Sequence, residues 1–162
     1  MIEQSFLLEL LKLKELNRAG WLRVGIEHPE SVAAHSWGVA CLAIILCPEE
    51  LNKERVLTMA ILHDLPEVRV GDITPHDSIP RKQKHQLEAK AAAELFALHP
   101  HILELIKEYE QNQTPEARFV HELDKLDMGL QAINYKQFAD TSEFTQSAAS
   151  SLSHALKSLI EP

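Results

Sequence analysis

His63 and Asp64 close an apolar run, Val56 to Leu62, and are followed by Pro66, Glu67 and Asp72. The pattern reads as a buried helix delivering an imidazole and a carboxylate to its C-terminal end, where the chain turns out into a loop. Core packing gives no reason for a His-Asp pair there. A divalent metal ion does, because neutral imidazole and carboxylate are its ordinary ligands. One adjacent pair leaves the coordination sphere incomplete, so further ligands must come from elsewhere in the chain.

His35 lies one turn into a second strongly apolar segment. On its own, a histidine there reads more readily as a hydrogen-bonded core residue than as a ligand. Asp124 and Asp127 are three apart, on one side of a third helix. Asp124 directly follows core Leu123 and so borders the buried face; Asp127 reads more readily as a solvated acidic edge. His121 and Asp124 share the same spacing, but we treat that pair as a decoy. Taken together, His35, His63, Asp64 and Asp124 suit one divalent ion (Mn, Co, Fe, Ni, Zn or Mg) and leave positions for water and substrate. Glu67 and Asp72 stand just beyond the pair, where a carboxylate can handle a proton. A di-iron carboxylate bundle would need Glu-x-x-His pairs on two helices, and none is present. A metal that only staples helices together is the non-enzymatic alternative.

The elements that must position these residues are helical. Residues 4–17 form an amphipathic helix that Gly20 is expected to stop. Arg18 to Arg23 then reads as a loop with two guanidiniums around the Trp21 indole. Ser31 is the N-cap of a helix over 32–47, apolar nearly all round and expected to be central. Asn52 caps a helix over 53–65. Pro80 fits the first position of a helix reaching about Leu98, with a basic opening turn that includes Lys84. Pro100 starts a helix over 101–112. Thr114-Pro115-Glu116 starts another, with Phe119, Leu123, Leu126, Leu130 and Ile133 as its core stripe. Thr141 or Ser142 caps a last helix with Phe144, Ala148, Leu152, Ala155 and Leu159 on one side. The expectation is one all-α domain of about seven helices spanning residues 1–162.

Composition narrows the function. A formal charge of −8 disfavours a surface built for nucleic-acid polymers. The apolar segments are too short to span a membrane. Charged Glu3, Glu9 and Lys12 break up the N-terminal apolar pattern, which is unlike a signal peptide. Cys41 and Cys47 read as reduced thiols. A soluble cytoplasmic protein is expected.

The ordered series His35, His63-Asp64 and Asp124 resembles the HD-domain metal-dependent phosphohydrolases, and more narrowly the short HD proteins related to 5'-deoxyribonucleotidases. Gly20-Trp21-Leu22-Arg23, Pro29-Glu30-Ser31, His63 to Glu67, Gly71-Asp72-Ile73, Lys84-His85 with Glu88, and Leu123 to Asp127 carry the likeness over about residues 6–136. The resemblance implies an all-helical HD-domain bundle, one divalent metal and a homodimer. It also implies Glu67 and Asp72 as catalytic acids, Trp21 beside base and sugar, and an arginine on phosphate. In some relatives that arginine directly precedes the tryptophan; here Gly20 does, so Arg18 and Arg23 compete, with Lys84 nearby. The activity implied is hydrolysis of nucleoside 5'-monophosphates. Nucleoside triphosphates and guanosine tetraphosphate are alternative substrates within the wider family. No GYP triplet follows the His-Asp pair, which disfavours cyclic dinucleotides.

Overall fold

The structure, a computed structural model, describes residues 3–161. Among these residues the only extended pairing is one isolated bridge between Asn17 and Ser31. The helices are α1 (Gln4–Leu11, continued by a 3-10 turn at Lys12–Lys14), α2 (Ala19–Arg23), α3 (Val32–Leu46), α4 (Lys53–Leu62) and α5 (Glu67–Val70). There follow α6 (Arg81–Leu95), α7 (Pro100–Gln111), α8 (Pro115–Tyr135), α9 (Ser142–Ser151) and α10 (His154–Lys157). The all-α expectation holds. Seven of these helices have eight residues or more, and α2, α5 and α10 are short additions.

Helix starts obey local chemistry. The side chains of Ser31, Asn52 and Thr114 accept from the backbone N–H groups of Ala34, Arg55 and Ala117, satisfying donors that the helix itself leaves free. Helices α3, α4 and α8 pack together at the centre through Val39, Ala43, Val56, Met59, Val120 and Leu123. A second cluster, Ala92, Leu95, Phe96 and Ile106, joins α6 to α7.

Several boundaries differ from expectation. Residues 19–23 are helix rather than loop. Gly20 does not stop α1; it lies within α2, where a Cβ would come 3.1 Å from the Phe144 ring. The turn that ends α2 uses Gly25, whose φ of +92° is costly for other residues. Helix α3 is not buried all round: Trp37 and Ile45 are 71% and 75% exposed. Pro80 is the N-cap of α6 rather than its first residue, and that helix stops at Leu95. The stripe on α8 is centred differently, with Leu123 and Leu126 fully buried beside Val120 and Ala132 while Phe119, Leu130 and Ile133 flank them.

The last helix is two. Backbone at Leu152 turns extended, and Ser153 N–H donates to Glu122 at 3.0 Å. The hydroxyls of Ser150 and Ser151 bond back to the Ser147 carbonyl, a competition with the helix ladder that weakens serine-rich turns. After the break Leu156 and Ile160 face inward, and Ala155 and Leu159 face out. Thr141 is buried and its hydroxyl donates to the Ala132 carbonyl, not to the helix it precedes.

Where α8 meets α9, Gly129 has no room for a side chain. A Cβ there would sit 3.0 Å from Ala148 Cβ and 3.2 Å from Ile160 Cδ1. Gly129→Val is therefore expected to destabilise the protein by about 1–3 kcal/mol through overpacking. Thermal unfolding checks this, and an unchanged midpoint would contradict the packing described.

Candidate metal centre

Three packed helices each bring one group to a common point. His35 projects from the first turn of α3, His63 is the residue that closes α4, and Asp124 stands on α8 beside Leu123. Asp64 follows His63 as the chain leaves the helix. His35 Nε2 lies 3.1 Å from Asp124 Oδ1 and 3.7 Å from Asp64 Oδ2, and His63 Nε2 lies 3.2 Å from that same Asp64 oxygen. The two rings meet edge to face at 5.5 Å between centroids.

Each imidazole is held from behind. His63 Nδ1 donates to the Ala60 carbonyl at 2.9 Å, and His35 Nδ1 donates to Asp127 Oδ2 at 2.7 Å. That leaves both Nε2 atoms inside the cluster, buried and without a hydrogen bond. Orphaned buried polar atoms are rare in folded proteins. Here His35 and His63 converge with Asp64 in a donor set that fits a divalent ion, and Asp124 borders it through His35. Of the four predicted ligands, His35, His63 and Asp64 come together, and Asp124 lies against His35. Asp127, expected as a solvated edge, instead braces His35. Only its i+3 spacing from Asp124 hinted at this, because its partner is ninety-two positions away.

His121 is engaged with Tyr109. Its Nε2 donates to the Tyr109 carbonyl at 2.9 Å, and its ring stacks on Tyr109 at 3.9 Å. A separate group, His85, Glu88 and Glu110, also lies close together. Its histidine is already satisfied by Glu110 at 3.0 Å and Arg81 at 3.3 Å.

Charge is finely balanced around the centre. Burial opposes the Arg18 charge, but Asp72, Asp64, Asp124 and Glu67 outweigh it and raise its pKa. Burial alone would lift Asp64; His63, His35 and Arg18 hold it below the usual carboxylate range. Asp124 is likewise held well below that range, against burial, by Lys125 and the two histidines. For His35, burial and Arg18 favour the neutral ring, yet Asp124 and Asp127 prevail and raise its pKa to about 9. Glu67 goes the other way, pushed well up by burial and then by Asp64 and Asp72. It is 4% exposed, and its Oε2 has no partner.

The centre opens into a cavity of about 1010 Å³ lined in part by Arg18, Glu67, Asp72, Lys84, Lys125 and Phe144. Arg18 Nη1 lies 3.7 Å from Asp64 Oδ2, beside the cluster. Arg23 also borders the cavity, in an ion pair with Glu143 and 5.8 Å over the Phe144 ring. Lys84 Nζ donates to the Ile73 carbonyl at 2.7 Å and lies 3.5 Å from Glu88. Asp72 Oδ2 accepts the Ala19 N–H at 2.7 Å, tying the Arg18 segment to the loop after α5. Trp21 borders the cavity but is 1% exposed, with its indole N–H donating to Glu30 and its ring between Tyr135 and Phe144. It is first a core residue, and Phe144, taken in the sequence only as core, shares that wall.

Among the described residues no helix is long and apolar enough to cross a membrane. A family model for the HD domain matches residues 10–160. The 5'-deoxynucleotidase HDDC2 of Bos taurus is 38% identical over 159 residues, covering 93% of this chain and 78% of that protein. The 5'-deoxynucleotidase hdd1 of Schizosaccharomyces pombe is 40% identical over 149 residues, covering 84% and 75%. The crystal structure of PH0347 protein from Pyrococcus horikoshii OT3 shares 32% identity at a TM-score of 0.84, covering 98% of both chains. With a helical bundle that gathers His35, His63, Asp64 and Asp124 at one point, the chain belongs to the HD domain family.

Proposed function

We propose that this protein is a metal-dependent 5'-nucleotidase that hydrolyses (deoxy)ribonucleoside 5'-monophosphates to nucleoside and phosphate. The observation that carries the reading is the pair of partnerless Nε2 atoms facing Asp64 and Asp124, with Arg18 and Glu67 alongside. The relatives named 5'-deoxynucleotidase support the substrate class.

His35, His63, Asp64 and Asp124 would hold the ion. When bound, such an ion supplies Lewis acidity toward phosphoryl oxygens and makes water more acidic. The remaining work falls to the chain. Arg18, charged and buried beside Asp64, fits a phosphate oxygen better than Arg23, whose guanidinium is occupied by Glu143. Lys84 adds a second positive charge across the cavity. Glu67 is placed to exchange a proton with the attacking water or the departing hydroxyl, since burial and like charge bring its pKa up from the range of ordinary carboxylates. Asp72 has one oxygen free beyond its bond to Ala19 and raises the proton affinity of Glu67. Trp21 and Phe144 form the apolar wall for sugar and base.

Two groups of variants separate these roles. His63→Ala and Asp124→Ala should lose the ion. Glu67→Gln should keep it and lose about 10²-fold or more in turnover, within the span of general acid–base catalysis. Metal analysis alongside single-turnover kinetics reads both effects. Loss of the ion from Glu67→Gln would make Glu67 a ligand instead.

Phosphate release from a panel of mono-, di-, tri- and cyclic nucleotides tests the substrate, with each candidate metal restored after chelation. Metal-dependent release from monophosphates alone is expected. Release from triphosphates alone would shift the assignment to another HD-type activity. A protein that unfolds on chelation and releases phosphate from nothing would make the metal structural.

We further assign a homodimer as the assembly, single-domain organisation to the chain and the cytoplasm as its location. The two cysteines are free thiols, as suits a reducing compartment. The outer face of α3 carries Trp37, Ile44 and Ile45, each more than half exposed, in one stripe that suits a second copy of the chain. Trp37→Glu should convert the dimer to an 18.3 kDa species in light scattering. A wild-type protein already at that mass would exclude this assembly.

A further inference from the structure

A glycine inside a helix is the weaker choice, because alanine at the same position loses less backbone entropy on folding. Gly38 sits inside α3, three residues beyond His35 and on the same side. Asp127 on α8 accounts for it. A Cβ on Gly38 would overlap Asp127 Oδ1 and lie 3.0 Å from its Cγ. The missing methyl leaves a notch in which the carboxylate rests against α3. From there the other oxygen, Oδ2, reaches His35 Nδ1 at 2.7 Å.

The two histidines face the same problem and meet it differently. A neutral imidazole has one donor and one acceptor, and the partner of one nitrogen decides which role the other takes. His63 stands at the C-terminal end of α4, where carbonyls lack helical partners, and Ala60 supplies one. His35 is one turn into α3, where backbone carbonyls are engaged by the helix, so its partner must be a side chain. We propose that Asp127, seated in the notch left by Gly38, is a positioning residue that fixes the tautomer and ring orientation of His35 for ion binding. This rests on the reading of His35 as an ion ligand. The two substitutions are coupled: Gly38 acts only through Asp127. Glu30 is the competing influence, since its carboxylate also lies close to Asp127 and His35. An ion held on that side would bind Nδ1 and leave Nε2 protonated.

The test is Zn²⁺ affinity, measured by competition with a chelating dye. The proteins compared are wild type, Asp127→Ala, Asp127→Asn, Gly38→Ala and the Gly38→Ala/Asp127→Ala double variant. Melting of each metal-free protein is followed in parallel. Loss of a partner that orients a ligand typically weakens metal binding about 10–100-fold. Asp127→Ala should fall in that range, and Asp127→Asn, which keeps an acceptor of the same shape, should lose less. Gly38→Ala should weaken binding alone and add nothing in the double variant, where it should raise the melting temperature. Long-range ¹H–¹⁵N spectra of the zinc-loaded wild type should find the His35 proton on Nδ1. Zinc affinity unchanged in Asp127→Ala overturns the proposal, as does a Gly38→Ala loss that adds fully in the double variant, or a proton on Nε2. If the predicted pattern appears but no monophosphate is hydrolysed, the positioning role stands and only the nucleotidase reading falls.

Discussion

Burying a hydrogen-bonding atom without a partner costs about 1–3 kcal/mol, and this protein does it twice in one cluster. His35 Nε2 and His63 Nε2 are both enclosed and both orphaned. The arrangement persists because each ring is pinned through its other nitrogen, and because α3, α4 and α8 are packed tightly enough to keep the rings from turning away. The core is thus the rigid frame on which a donor set can be preorganised. An ion offers those atoms what the protein withholds.

The acids around the centre would repel one another in isolation. Arg18, Lys84 and Lys125 are interleaved among Asp64, Asp72, Glu67 and Asp124, so the carboxylates differ in proton affinity. Asp64 and Asp124 remain charged and Glu67 is drawn toward the neutral form, a division that suits ligands on one side and a proton carrier on the other. It also places positive charge in the cavity of a chain whose overall charge is −8. The bond from Ala19 N–H to Asp72 ties the Arg18 segment to the loop after α5.

Much of the helical frame was legible from local patterns. Ser31, Asn52 and Thr114 announced helix starts because an N-cap satisfies donors within its own first turn. The break at Leu152 was only partly legible: the serine run weakens the helix locally, but Glu122, which receives Ser153, lies thirty-one residues away. The exposed face of α3 was hidden for a related reason. An all-apolar helix does not reveal which side its neighbours leave uncovered, and Trp37 and Ile45 lie on that side.

For the site, the sequence by itself determined which side chains were available: His35, His63, Asp64 and Asp124 as candidate ligands, with Glu67 and Asp72 close by in the chain. Adjacency and helical spacing carried that much, because His63 and Asp64 share one helix end and Asp124 borders a core stripe. Tertiary structure alone decided the rest. It set Arg18 beside Asp64 and Arg23 beside Glu143, and it turned Trp21 into a buried brace between Tyr135 and Phe144. It set Asp127 against His35 and seated that carboxylate where a Cβ on Gly38 would lie. These assignments depend on which side chains face each other across helices far apart in the chain, and a local pattern holds no record of that packing.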